Sequence, residues 1–331
     1  AAEAVLGASG LIHSYLQYPV GARNPFALAR LAWSILRWRP QVVVYLAAAR
    51  GVAAARRDAG FFRLCGVRRL LGVPRTLALQ GNFYGAESDA ACVNDWEPEA
   101  LRLLRCLAVP ETAATDRAAT DPASWDLRLT PAERAVAAAA LGPLVRPIAV
   151  SVGTKVQAKD WGRDNWRALL EGIARLPAPR HDDVAPGLLL LGSADEYEAS
   201  ESAAAGWRAG GGSRVVNLCG QLSPRESAAA LERAAFFLGH DSGPMHLAAA
   251  VGTPCVAIFA ARNIPRQWFP FGARHRVLYR EVACAGCGLE TCIVEGKRCL
   301  HAISVADVLA EVEPMLAETC PGQAMEDPGR I

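Results

Sequence analysis

Apolar residues along the chain form two recurring patterns, short continuous runs and amphipathic stretches, and the two alternate. The run QVVVYLA over 41–47 is rich in β-branched residues and predicts a buried strand. A helical pattern over 26–38 precedes it, and a second short run, 70–73, is closed by Pro74. Leu101, Leu104 and Leu107 share one face of an amphipathic stretch over 97–107. The Ala- and Thr-rich piece 111–124 has no periodicity and reads as a linker or surface loop. Thr130, Pro131 and Glu133 then mark a helix start: a capping hydroxyl, a proline suited to the first turn, and a glutamate that completes a capping box.

The second half is more regular. Strands are predicted at 148–152, 187–191, 215–218, 235–238 and 255–259. Between them lie a helix over 165–176 capped by Asp164, an acidic helix after Gly192 and Ser193, and helices over 224–233 and 244–251. A last helix, 305–316, has Ser304 and Asp307 as its capping box. This alternation predicts an α/β fold with a parallel sheet and helices on both faces. The length of 331 residues suits two domains, each able to bury a core. We divide them as an N-terminal lobe, 1–145, a second lobe, 146–303, and a C-terminal helix and tail, 304–331.

Composition narrows the class. The net charge of +2 provides no global field for nucleic acid. The longest apolar stretches, such as 41–49, fall far short of the ~20 residues of a membrane span. No signal peptide opens the chain, which starts on small residues without Met; this suggests that the start of the natural protein, with a further strand–helix unit, precedes Ala1. Six arginines, Arg50, Arg56, Arg57, Arg63, Arg68 and Arg69, crowd one segment, either to receive an acidic acceptor or as a helix face in water. Ten cysteines include a cluster, Cys284, Cys287, Cys292 and Cys299, spaced C-x2-C-x4-C-x6-C. Such thiols suit tetrahedral zinc, reduced packing or a loop disulfide, and the scatter of the others points to a reducing cytosol.

Neither G-x-G-x-x-G nor a Walker A sequence is present, which argues against dinucleotide oxidoreductases and P-loop proteins. Ligands of open α/β sheets sit beyond the C-terminal strand ends, so the loops there carry the chemistry. In the strongest, Asp241 precedes Ser242, Gly243, Pro244, Met245 and His246 at a helix start, where free N–H groups attract phosphate. Asp241 does not favour phosphate, so it suits a sugar hydroxyl; the alternative is a helix cap, with His246 packed. A second loop, 153–161, places Thr154, Lys155 and Lys159 after a buried strand, where lysines neutralise a departing diphosphate; the alternative is a solvated turn. In a third, Asp195 and Glu196 either accept ribose or sugar hydroxyls or simply favour a helix dipole.

Together these loops resemble the lipopolysaccharide heptosyltransferases, glycosyltransferase family 9. The family's Asp–Ser/Thr–Gly signature and His–Leu–Ala–Ala helix start read here as Asp241-Ser242-Gly243-Pro244-Met245-His246-Leu247-Ala248-Ala249. Its Lys–x–Trp step matches Lys159-Asp160-Trp161, and Leu222-Ser223-Pro224 matches the segment flanking the nucleotide base. The resemblance covers about 148–316. It implies a GT-B fold, two Rossmann-like lobes with parallel sheets facing a central cleft, and inverting transfer from an ADP-heptose-like donor without a metal ion or other cofactor. The acceptor it implies is a lipopolysaccharide-core or related glycan, reached in the cytoplasm or at the inner face of the inner membrane. It further implies that Lys159 stabilises the leaving diphosphate, that Asp241 and His246 hold donor sugar and phosphate, and that Asp195 or Glu196 holds the ribose. Two departures stand out. No Gly–Asp loop bearing a catalytic base precedes Gln41, and Ala260-Ala261-Arg262-Asn263 replaces the usual Gly after a strand, bringing Arg262 as a possible pocket charge. Rival readings are transfer from another nucleotide sugar and non-catalytic binding of a sugar nucleotide.

Overall fold

A computed structural model of the 331-residue chain describes residues 2–16, 24–48, 50–80, 97–107, 121–177, 186–293 and 295–319. Two compact units emerge, one made of residues 1–12, 125–263 and 269–331, the other of residues 13–124 and 264–268. Most of the expected linker 111–124 lies outside the described residues; Pro122–Trp125 form one 3-10 turn.

The smaller unit comprises α2 (Pro25–Trp38), β1 (Val42–Val44), α3 (Val52–Leu64), β2 (Arg69–Leu71), α4 (Leu77–Gln80) and α5 (Glu99–Cys106); the short α1 (Ala2–Leu6) belongs to the larger one. Asn24 accepts the Phe26 N–H to cap α2, and Pro25 fits its first turn. Strands β1 and β2 pair in parallel, Val43 beside Leu70. Leu31, Ile35, Cys65 and Val67 form the core under them. The expected buried strand is shorter than 41–47, and Val42 and Val44 are exposed while Val43 is half-buried. The apolar run predicts a buried strand, but this two-stranded sheet is covered on one face only among the described residues. The arginine-rich segment is largely α3, with Arg56, Arg57 and Arg63 on exposed positions. Arg102 of α5 is fully buried, and its guanidinium pairs with Glu99 at 2.6 Å and donates to the Ala47 carbonyl at 2.7 Å. These bonds satisfy a charge that would otherwise be costly to bury.

The larger unit holds a six-stranded parallel sheet in the order β5-β4-β3-β6-β7-β8. Its strands are β3 (Ile148–Ser151), β4 (Leu188–Leu190), β5 (Val215–Asn217), β6 (Phe236–His240), β7 (Cys255–Phe259) and β8 (Arg276–Tyr279). The helices are α6 (Pro131–Leu141), α7 (Arg163–Arg175), α8 (Tyr197–Ala209), α9 (Pro224–Leu231), α10 (Gly243–Ala250), α11 (Arg298–His301) and α12 (Val305–Thr319). The four strands β3, β4, β6 and β7 are buried along their whole length, as continuous apolar runs of a parallel sheet require. Ile148, Val150, Leu188, Leu190, Phe236 and Leu238 face a core shared with Trp166 and Leu170 of α7, Trp207 of α8 and Val308 and Val312 of α12. Helices α7 and α8 approach so closely that a Cβ at Gly206 would lie 2.0 Å from the Arg167 carbonyl oxygen.

Three expectations shift. Strand β8 has no clear apolar run and was not anticipated. The strand expected at 235–238 extends to His240, which places that ring inside the sheet. Helix α7 is preceded by Gly162 rather than capped by Asp164, which instead lies in its first turn, where the helix dipole favours an acid. The capping box of Thr130 and Glu133 forms as read, and so does that of Ser304 and Asp307. Glu133 does more than cap. Its carboxylate receives Arg225 of α9 at 2.5 and 3.0 Å, and the same guanidinium donates to the carbonyls of Val5, Leu127 and Arg128. One buried arginine thereby ties α1 and α6 to α9.

The Arg225 guanidinium holds the Glu133 carboxyl well down, from 4.5 to about 2. A depressed acid stabilises the fold above its unfolded pKa and loses that contribution as pH falls toward its folded value. Glu133→Gln is therefore expected to lower stability at neutral pH by about 3 kcal/mol, by leaving Arg225 without its counter-charge. In thermal melts from pH 7 down to 2, the gap between wild type and variant should narrow below about pH 4.5.

Candidate donor site at the carboxyl ends of β3 and β6

The register pairs Ser151 of β3 with Gly239 of β6, so the loops that follow leave the sheet side by side. After β3, the chain turns through a 3-10 segment, Gln157–Lys159. After β6, Asp241 leads into α10. The two loops meet at an ion pair: Lys159 Nζ lies 2.7 Å from Asp241 Oδ2 and also donates to the Asp241 carbonyl at 3.2 Å. Asn263, on the loop after β7, donates to the same Oδ2 at 3.3 Å. His246 Nε2 stands 3.8 Å from Oδ1. Burial alone would raise the Asp241 pKa, but the His246 bond and the Lys159 charge outweigh it and hold the carboxyl below its ordinary value. Asp241 is thus an ionised, buried carboxylate and does not cap the helix.

Ser242 occupies the N-cap position of α10 yet makes no capping hydrogen bond, and its buried hydroxyl has no partner among the described residues. The first turn of α10 accordingly presents N–H groups with no side-chain cap. A helix start of this kind favours anionic oxygen. Nothing lies within 4 Å of the position a Cβ on Gly243 would take, so an incoming group can approach the backbone there. Pro244 fits the first turn; Met245 is fully buried, so its side chain belongs to the core.

His240, which pattern reading had passed over, anchors the Lys159 loop. It is fully buried, and burial drives its pKa down to about 4, so the ring is neutral at physiological pH. Its Nε2 accepts the Trp161 N–H at 3.2 Å, and the ring sits edge-on to Trp166 with centroids 5.0 Å apart. Trp161 in turn donates its indole N–H to the Ile303 carbonyl. A continuous apolar strand run ending on a polar residue was the available signal for His240.

The cysteine segment packs behind the same loop. Ala158 N–H donates to the Glu290 carbonyl at 3.0 Å, Cys292 N–H to Gln157 Oε1 at 3.0 Å, and Lys297 Nζ to the Asp160 carbonyl at 2.9 Å. Arg262, expected as a charge in the pocket, instead ties this segment down through the Gly288 and Leu289 carbonyls, each at 2.7 Å. Cys284, Cys287, Cys292 and Cys299 line one small cavity and are not joined by disulfides. Among the described residues, no group of three or more His, Cys, Asp or Glu is arranged to hold a metal ion.

The other anticipated residues lie around this centre in different states. Thr154 accepts the Val156 N–H and shapes the turn, while Lys155 is exposed. Glu196 accepts the Ser193 N–H in a capping box and lies against Gly153, where a Cβ would come within 2.0 Å of its carboxyl carbon. Asp195 beside it is exposed. Leu222 is half-buried just before α9, whose capping box is made by Ser223 and Glu226.

The fold and this arrangement define an α/β protein of the GT-B class. A family model, glycosyltransferase family 9 (heptosyltransferase), matches residues 97–297. The chain belongs to glycosyltransferase family 9. A lipooligosaccharide heptosyltransferase 2 from Campylobacter jejuni is 24% identical over 103 residues, which is 31% of this chain and 32% of that protein, so the match spans about a third of that relative's length. A family 9 glycosyl transferase structure from Veillonella parvula superposes with a TM-score of 0.68 at 17% identity, over 96% of this chain and 86% of that one. The E. coli ADP-heptose lps heptosyltransferase II gives 0.56 at 18% identity, over 88% and 81% of the two chains.

Because Lys159 and His246 together offset the cost of burying Asp241 as an anion, removing one should show in its titration. Lys159→Met is expected to move the Asp241 pKa upward, measured by carbon-13 NMR of the labelled carboxyl. An unmoved pKa would mean that the 2.7 Å ion pair does not persist in solution.

Proposed function

We propose that the chain transfers a glycosyl group from a nucleotide-diphosphate sugar, with ADP-heptose the first candidate, to a lipopolysaccharide-core or related envelope glycan. The observation that carries the reading is the juxtaposition of Lys159 and Asp241 beside the uncapped start of α10. A diphosphate donor needs both: N–H groups and a cation for the phosphates, and a carboxylate for sugar hydroxyls. Membership of family 9 supports the choice of a glycosyl donor. The E. coli relative named for ADP-heptose supports the choice of sugar.

In this reading the acceptor hydroxyl oxygen attacks the anomeric carbon from the face opposite the diphosphate. The bond from that carbon to the diphosphate oxygen breaks, and the oxygen leaves with the electron pair. The acceptor's proton passes to a general base. Lys159, fixed through its loop by His240 and the cysteine segment, is placed to meet the charge that grows on the departing oxygen. Ser242 and the first N–H groups of α10 hold the phosphates, His246 adds a donor at the same helix face, and Asp241 orients the sugar by accepting its hydroxyls. Thr154 and Lys155 flank the phosphates, Glu196 or Asp195 the ribose, and Leu222 the base.

Calorimetry with ADP, ADP-heptose and other nucleotide sugars tests the reading. Lys159→Ala should weaken ADP by about tenfold or more, the equivalent of losing one charge-assisted hydrogen bond. Equal affinity in the variant would remove Lys159 from the site, and absence of nucleotide binding in the wild type would remove the reading itself. Asp241→Asn keeps the shape of the side chain. It should leave melting nearly normal while lowering turnover at least about tenfold, roughly 1.4 kcal/mol of barrier. A large loss of melting temperature with turnover retained would make Asp241 structural.

A further inference from the structure

Loops after β3, β6 and β7 meet at Asp241, and the two oxygens of its carboxylate are not equivalent. Oδ2 receives Lys159 Nζ at 2.7 Å and Asn263 Nδ2 at 3.3 Å. A carboxylate oxygen has about two lone-pair directions, so Oδ2 is filled from within the protein. Oδ1 faces His246 Nε2 across 3.8 Å, and the His246 side chain is 43% exposed, so Oδ1 is the oxygen on the open side. Asn263 is itself held in place. Its Oδ1 accepts Arg262 Nη1 at 3.2 Å. A guanidinium only donates and a carboxylate only accepts, so the amide lies one way round, with its carbonyl toward Arg262 and its NH2 toward Asp241. Arg262 is fastened in turn: its guanidinium donates to the Gly288 and Leu289 carbonyls at 2.7 Å each, and its own carbonyl accepts the Gly288 N–H at 2.9 Å. The neighbouring Ala261 carbonyl accepts the Gly286 N–H at 2.7 Å.

We propose that Asn263 is a positioning residue for donor selectivity: with Lys159 it fills Asp241 Oδ2, fixes the orientation of the carboxylate, and leaves Oδ1 as the oxygen that accepts a hydroxyl of the donor's sugar. The proposal rests on the donor-site reading and deepens it, by naming the atom that reads the sugar and the residue that sets it. Lys159 alone would not fix the choice. Its ammonium is a rotatable point charge with three donors, able to meet a phosphate and Asp241 together and to follow either carboxylate oxygen. The planar amide of Asn263, held at its far end by Arg262, fits one oxygen of a carboxylate in one orientation. A single fixed acceptor is what makes a site selective. A sugar whose hydroxyl points at Oδ1 is accepted, whereas an epimer whose hydroxyl points elsewhere leaves a buried charged oxygen without its hydrogen bond. Asn263 acts through Asp241, so the diphosphate part of a donor should not register its loss.

Calorimetry of the 331-residue chain with a nucleoside diphosphate and the matching nucleotide sugar, ADP and ADP-heptose first, tests it. The readout is the ratio of the two Kd values, which isolates the sugar. Asn263→Ala should keep diphosphate binding within about twofold of wild type and shift the ratio at least about fivefold against the nucleotide sugar. Asn263→Asp keeps the shape of the side chain and sets a second carboxylate against Asp241. It should shift the ratio in the same direction and move the Asp241 pKa upward in carbon-13 NMR, and it keeps the test decisive if the alanine variant folds poorly. An unchanged ratio in either folded variant would overturn the proposal and leave the donor-site reading standing. Equal weakening of both ligands would overturn it too, by making Asn263 a structural residue. A wild type that binds no nucleotide would remove the donor-site reading and this inference with it.

Discussion

Parallel pairing of β3 with β6 is the constraint on which the site depends. The strands are separated in sequence by a helix, two further strands and two more helices, yet their hydrogen-bonded register sets Ser151 beside Gly239. Parallel strands leave a sheet at the same edge, so the loops after them must emerge together. Lys159 and Asp241, 82 residues apart, meet for this reason. The order β5-β4-β3-β6-β7-β8 places the crossover between β3 and β6 at the middle of the sheet, where chain direction on either side opens a crevice.

Keeping Asp241 charged at that edge is a balance of opposed effects. Burial favours the neutral acid, and the His246 bond with the Lys159 charge favours the anion and prevails. The groups that hold Lys159 in reach come from elsewhere in the unit. His240 anchors Trp161, Lys297 anchors Asp160, and Arg262 secures the segment from which Lys297 comes. Each is a bond between elements far apart in sequence, and together they turn a flexible lysine into a fixed charge. The cysteine segment acts here through its backbone, which braces the Lys159 loop at Ala158 and Gln157.

Charge is distributed unevenly along the chain, and the net value of +2 conceals it. The smaller unit concentrates arginine on exposed positions of α2, α3 and β2, while most acids lie after residue 120. In the larger unit, Glu133 shows what one half-buried acid does against a buried arginine: it completes the capping box of α6 and anchors the guanidinium that gathers α1 and the 127–128 turn. In the smaller unit, by contrast, arginine far outnumbers acid over residues 24–80 and stands on exposed positions there.

Much of the fold was legible because the signals are local. Apolar runs bounded by Gly, Pro and polar residues located β3, β4, β6 and β7, and capping boxes at Thr130 and Ser304 marked helix starts, since these bonds span only three residues. Lys159, Asp241 and His246 were legible as residue types at strand and helix ends, which is a matter of spacing along the chain. Their meeting was not, because spacing says nothing of strand order. Nor did the sequence show that Asn263 would share Asp241, that Arg262 would turn toward Gly288 and Leu289, or that His240 would lie in the sheet, neutral and buried. Strand β8 stayed hidden because an edge strand needs apolar residues on fewer positions than a central one. What the sequence determined by itself was the set of elements and the chemistry at their ends, through bonds between near neighbours; which ends share an edge was decided only by the tertiary structure, because sheet order depends on contacts between residues many tens of positions apart.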